Sequence, residues 1–288
     1  MDRLEKLKVP LSAALSSLPS PPDNLRSEEW NELHECISIL KPVEQLTVKI
    51  SGEQYPTLSS VIPLIRGTQH LLRNNFPDTD IAKQLKKTLV DVIDNRLGCV
   101  EINKTAAKAT FMDPRFKKAA FGTEENADRV QRYVVEELTQ FMRYNLINQD
   151  RSSTSNSFHE SQEQQQQSTE GYEELWQHFD QKVHDHMNVE TPTSSALIKV
   201  KQYVELPYLE RKLNPIEFWE NRKKIDSGLY EISLKYLSIP ATSVPSERVF
   251  SKAGLVCNQR KNRLEPKKID QILFLNAYLS SEKVNNID

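Results

Sequence analysis

Any chemistry in this chain of 288 residues must come from a short set of side chains. They are His184 and His186 flanking Asp185, Asp113 within the run Met112–Phe116, Glu247, the basic stretch Arg260–Lys268, and three cysteines. Histidines two apart on a helix point about 200° apart around its axis, so the His-Asp-His triplet does not gather two imidazoles on one ion. Cys36, Cys99 and Cys257 are odd in number and far apart. They match neither a disulfide framework nor a zinc spacing and read as reduced thiols, so no metal site is assigned. Seven glycines, none close to another, leave no dinucleotide fingerprint or phosphate loop. No serine or cysteine stands in a recognisable nucleophile arrangement, and no cofactor is expected. Around Glu247, Thr242 or Ser243 can cap a helix whose first turn admits Pro245. A glutamate there faces the positive helix end, which alone accounts for its presence. Arg260, Lys261, Arg263, Lys267 and Lys268 against Glu265 give a local charge of +4, in a chain whose net charge is −2. That patch can touch phosphate. A solvated loop before a helix explains it equally well, and no interleaved aromatic offers a stacking platform.

The elements that must position these groups are helical. Prolines at 19, 21 and 22 close a lead-in over residues 1–24. Ser27 ahead of Glu28, Glu29 and Trp30 reads as an N-cap, and Trp30, Leu33, Ile37 and Leu40 share one helical face. A second helix candidate opens at Tyr55-Pro56-Thr57-Leu58 and carries Val61, Leu64, Ile65, Leu71 and Leu72, with a kink or break expected at Pro63 or Gly67. In a third, Ile81, Leu85, Leu89, Val92, Ile93 and Leu97 form the stripe, with Gly98 at the C-cap position. A fourth covers about residues 124–144, with Val130, Val134, Leu138 and Phe141 facing inward. Residues 25–147 therefore read as a helical, bundle-like domain. Residues 148–171, polar and glutamine-rich, bury too little to offset their ordering entropy and read as a disordered linker. Over 172–288 the helical spacing resumes at Trp176, Phe179 and Val183, from Ala196 to Val204, and from Pro215 to Trp219. It returns at Tyr230, Leu234 and Leu237. A last helix from Pro266 to Leu279 carries Ile269, Ile272, Leu273, Phe274 and Leu275, an apolar surface that needs covering. No stretch of about 18 apolar residues is present to cross a membrane, and the first ten residues lack a secretory hydrophobic core. A soluble intracellular protein is expected.

One stretch is specific. Residues 236–279 read YLSIPATSVPSERVFSKAGLVCNQRKNRLEPKKIDQILFLNAYL. This resembles the C-terminal signature of the hAT transposase superfamily, including the zinc finger BED-type proteins derived from it. The likeness lies in Ser246–Ser251, Ala253-Gly254, Arg260–Leu264 and Leu273–Asn276. Further blocks agree in order: Leu25–Trp30, Tyr55–Leu64, Met112–Phe116 and Asn214–Trp219. The resemblance implies a helical insertion followed by part of an RNase H-like fold that ends in a self-association region. It places the dimer surface or core at Trp219, Val249, Phe250, Leu255, Leu264, Ile269, Ile272, Leu273, Phe274 and Leu275. It also makes Glu247 the last acid of a three-carboxylate site whose Mg or Mn ions serve only an intact family enzyme. The family's two catalytic aspartates and its DNA-binding finger are expected upstream, and Asp113 is not one of them. The resemblance thus implies a nuclear, catalytically incomplete homodimerisation module, with related hAT-derived proteins as further partners and DNA met weakly or through a missing finger. Part of an active transposase, or a DNA-binding transcriptional regulator using the basic patch, are the alternatives.

Overall fold

The computed structural model describes residues 3, 6–20, 23–52, 55–153, 176, 179, 182, 191–256 and 265–285. The mainly α reading holds, and no strand occurs among the described residues. The RNase H-like label rests on the resemblance alone. The sequence segments at His184–His186, Cys257 and Arg260–Leu264 lie outside the described residues, as do 154–171 of the linker.

Helix α1 (Lys8–Ser16) buries nothing, and the Lys8 ammonium lies 5.1 Å from the Trp30 ring centroid. Helix α2 (Ser27–Ile50) starts one residue earlier than its serine suggested. Arg26 takes the N-cap place because the Glu29 carboxylate accepts the Arg26 backbone N–H at 2.7 Å. Helix α3 (Leu58–Arg73) runs unbroken through Pro63 and Gly67, against the expected kink. Proline 63 leaves the Ser59 carbonyl without its helical donor, and the Thr110 hydroxyl supplies one at 2.9 Å.

Helix α4 (Asp80–Leu97) is capped from α2: the Glu35 carboxylate accepts from the Asp78 amide and from both the amide and hydroxyl of Thr79. These bonds, the Thr79 hydroxyl first, hold Glu35 below its ordinary value. The buried stripe of α4 is partly rotated from the expected one. Leu85, Leu89, Ile93 and Leu97 turn inward as expected and Ala82 and Val90 join them, while Ile81 and Val92 face solvent. Gly98 does stand at the C-cap, but with φ −61° the chain continues right-handed into a 3₁₀ turn, Gly98–Ile102.

Helix α5 (Lys104–Met112) gave no periodic signal and is the centre of the molecule. Ala106, Ala107, Ala109, Thr110, Phe111 and Met112 are all buried, so no apolar–polar alternation marks a face. The Asn103 side chain caps it by accepting from the Thr105 and Ala106 amides. Around α5 pack α3, α6 (Glu124–Ser153) and α9 (Ser227–Leu237). Helix α6 extends to Ser153, six residues into the stretch read as linker. Helices α7 (Pro192–Glu205) and α8 (Pro215–Arg222) each open on proline, with Thr191 and Asn214 as side-chain caps. Gly228 lets α9 approach α6, because a Cβ there would stand 2.6 Å from Leu138.

Two cores result. The smaller joins α2, α3 and α4 through Ile39, Leu46, Ile65, Leu72, Ala82 and Ile93. The larger unites Phe111 and Met112 with Val134 and Leu138 of α6, Val200 and Tyr203 of α7, Trp219 of α8 and Ile232 of α9. Segments read separately on either side of the linker therefore share one interior. Two helices follow the body: α10 (Val244–Val256), which buries no residue, and α11 (Pro266–Asn285).

Candidate association surface

The motif blocks converge in space. The last turn of α5 leaves carbonyls without helical donors, and residues from the far side of the linker supply them. The Tyr203 hydroxyl donates to the Phe111 carbonyl and the Trp219 indole N–H to the Met112 carbonyl, both at 2.9 Å. Their rings lie 5.0 Å apart between centroids, tilted by 38°. The arrangement is reciprocal. Lys117 Nζ, just past α5, donates to the Tyr203, Leu206 and Pro207 carbonyls at the end of α7. Lys117 is fully buried at φ 44°, a left-handed conformation that costs a non-glycine residue about 1 kcal/mol. Burial lowers its amine to about 8, and the Arg222 charge pushes the same way.

Asp113 is fully buried in this clasp. It accepts from Arg115 Nε at 2.9 Å and Nη2 at 2.7 Å, and from the Ser59 hydroxyl at 2.7 Å. The carboxylate is thus occupied by its own chain. Glu137 forms a second junction, accepting from Lys108 of α5 and from Lys235 and Tyr236 of α9. Burial raises its carboxyl, but these donors outweigh that and leave it below its usual value. Burial and Glu137 together push the Tyr236 hydroxyl up to about 12. Glu101 similarly takes Arg66, the Gly122 amide and Asn126. Lys117, Glu137 and Glu101 carried no signal in the sequence, because their partners stand 21 to 99 residues away.

The expected site residues divide. Trp219 belongs to the core, at 0% exposure. Val249, Phe250 and Leu255 on α10, and Ile272, Phe274 and Leu275 on α11, are all exposed, Phe250 at 74% and Phe274 at 70%. Ile269 and Leu273 are half-buried, and α10 and α11 pack on each other. Tyr278 and Leu279 extend the open surface, and the Tyr278 ring stacks on Phe274 at 6.3 Å. Lys267 and Lys268 are exposed in the first turn of α11. Glu247 is exposed in the first turn of α10, and its carboxylate accepts the Ser243 hydroxyl at 2.6 Å. Among the described residues, no group of three or more His, Cys, Asp or Glu side chains is placed to hold a metal.

Between the body and α10 opens a cleft of about 660 Å³. Tyr55, Arg115, Leu213 and Ile216 form one wall, Ile239 the floor, and Pro245 with Val249 the α10 side. The Thr57 hydroxyl accepts the Ala241 amide at 2.9 Å and fixes the chain as it leaves the body for α10.

Comparison with known proteins bears out the resemblance. Residues 199–279 match the family described as the hAT family C-terminal dimerisation region. That span begins within α7 and ends within α11. Over 252 residues, 88% of the chain, the sequence is 24% identical to zinc finger BED domain-containing protein 4 of Homo sapiens. It is 25% identical over 89% of its length to zinc finger BED domain-containing protein 6 of Homo sapiens, and over 91% to that of Mus musculus. The chain spans 20% of the first of these relatives and 28% of the other two. No helix among the described residues is long and apolar enough to cross a membrane.

Proposed function

We propose that this chain is a self-association module of a transposase-derived protein, with α10 and α11 as its contact surface. One observation carries the reading: eight large apolar side chains stand open on two helices whose described residues are nowhere fully buried. They leave on the order of 900 Å² in water, about the share one partner contributes to a stable interface of standard size. An apolar surface of that extent left in water favours association. The name of the matched family, a dimerisation region, supports a second copy as the partner.

On this reading the chain by itself does not cut or join DNA. Two-metal strand chemistry needs several carboxylates around the ions, and Glu247 stands at a helix end with its carboxylate turned to Ser243. The zinc finger in the relatives' names supports nuclear residence, with the finger carrying DNA contact while this region pairs copies.

Sedimentation equilibrium of the full chain tests the reading. A wild-type dimer and a monomeric Phe274→Glu/Leu275→Glu variant with unchanged helix content are expected. A wild-type monomer at every concentration would remove the module. A metal-dependent nicking assay checks the catalytic part, where any strand cleavage by the purified chain contradicts it.

A further inference from the structure

The geometry points to the cleft beside α10 as the seat of the second copy's α11, inserted by its Phe274–Tyr278 edge. This rests on the association reading and gives it a site. Helix α11 has more apolar surface than α10 can cover. Ile269 and Leu273 are the half-buried pair, whereas Phe274 and Tyr278 lie on another side of the helix, one turn apart and open. That edge needs a groove, and the cleft supplies one that is continuous with the surface already argued to meet a partner. Val249, 48% exposed, belongs both to the cleft wall and to the open apolar set of α10.

The cleft offers apolar positions to a side-chain edge among its polar lining residues. Its apolar lining includes Leu213, 50% exposed, Val249, the exposed Pro240 and the half-buried Ile239. Arg115, the nearest buried-side cation, is already neutralised by Asp113. The remaining charge is Lys212, exposed at the mouth. On α11 the matching group is Asp270, one turn ahead of Phe274 on the same edge and exposed. Neither Lys212 nor Asp270 makes an ion pair within its own chain among the described residues. Seating Phe274 in the cleft brings an acid toward a lysine across the interface, and two-fold symmetry makes the contact twice.

The test measures the dimer dissociation constant of the full chain by sedimentation. Leu213→Glu, outside both association helices and away from the core, should weaken the dimer at least tenfold. Lys212→Glu and Asp270→Lys should each weaken it by a few-fold, and the two together should restore it. A dimer indifferent to Leu213→Glu and Lys212→Glu but lost in Phe274→Glu would mean that α11 pairs with another surface, and would overturn the cleft assignment while leaving association intact. A wild-type chain that stays monomeric would instead overturn the association reading beneath it.

Discussion

The body built from α2 to α9 and the pair α10–α11 treat the same kinds of side chain in opposite ways. In the body, charged groups go inside. Asp113 and Lys117 are fully buried and Glu101 nearly so; Lys117 and Glu101 take partners from distant parts of the chain, and Asp113 takes Arg115 two residues on and the distant Ser59. In the terminal pair, large apolar groups go outside. The body is complete: its one buried side-chain polar atom without a partner, among the described residues, is Gln69 Oε1. The pair is not complete, since nothing among the described residues covers Phe250, Leu255 or Phe274. The matched region runs from within α7 through α8 and α9 into the terminal pair, so it takes in residues of both kinds. Those of α7 to α9 lock the far side of the linker onto α5, and those of the pair present an open apolar surface.

The comparison breaks most sharply at Trp219. Trp219→Ala removes the largest buried side chain and the donor to the Met112 carbonyl, and should destabilise the fold by about 3–5 kcal/mol in a denaturant titration. Asp113→Ala leaves the Arg115 guanidinium without its counter-charge and should remove about 3 kcal/mol by the same measurement. The Trp219→Ala variant, if still folded, should associate like the wild type. A Trp219→Ala chain that stays as stable but fails to dimerise would move that residue from clasp to interface.

Lys117 sharpens the contrast through pH. Its amine falls from 10.5 unfolded to about 8 folded, so between these values the unfolded chain binds more protons and stability should rise with pH. The penalty of its buried charge is fully present below pH 8. The rise should show between pH 8 and 10, before Tyr203, Tyr230 and Tyr236, all raised by burial or a neighbouring carboxylate, reverse the slope. Lys117→Met should flatten that rise in chemical denaturation. The smallest effect belongs to the open helices: Phe274→Glu should change the stability of the monomer by less than about 0.5 kcal/mol, because the side chain is already in water.

Most helices were legible because they are amphipathic, and Pro215 marked the start of α8. Helix α5 was illegible because it is apolar or small all round, which is what a central helix must be. Pro63 misled for a related reason. Its effect on α3 depends on a threonine 47 positions later, and no local rule sees that hydroxyl. The same holds for the site. The resemblance set Trp219 beside the apolar residues of α10 and α11 as core or dimer surface, since burial in a core and burial in an interface use one alphabet. Only the placement of Trp219 against Met112, 107 residues away, separates the two.

Amide hydrogen exchange of the full chain, followed peptide by peptide over a series of protein concentrations, tests the central claim most directly. Protection in α5 and α7 should be high and independent of concentration, because their own chain encloses them. Protection in residues 266–279 should be low in dilute solution and should climb as a second copy covers α11. Exchange in α11 that stays fast at all concentrations, or slow at all of them, would contradict the account.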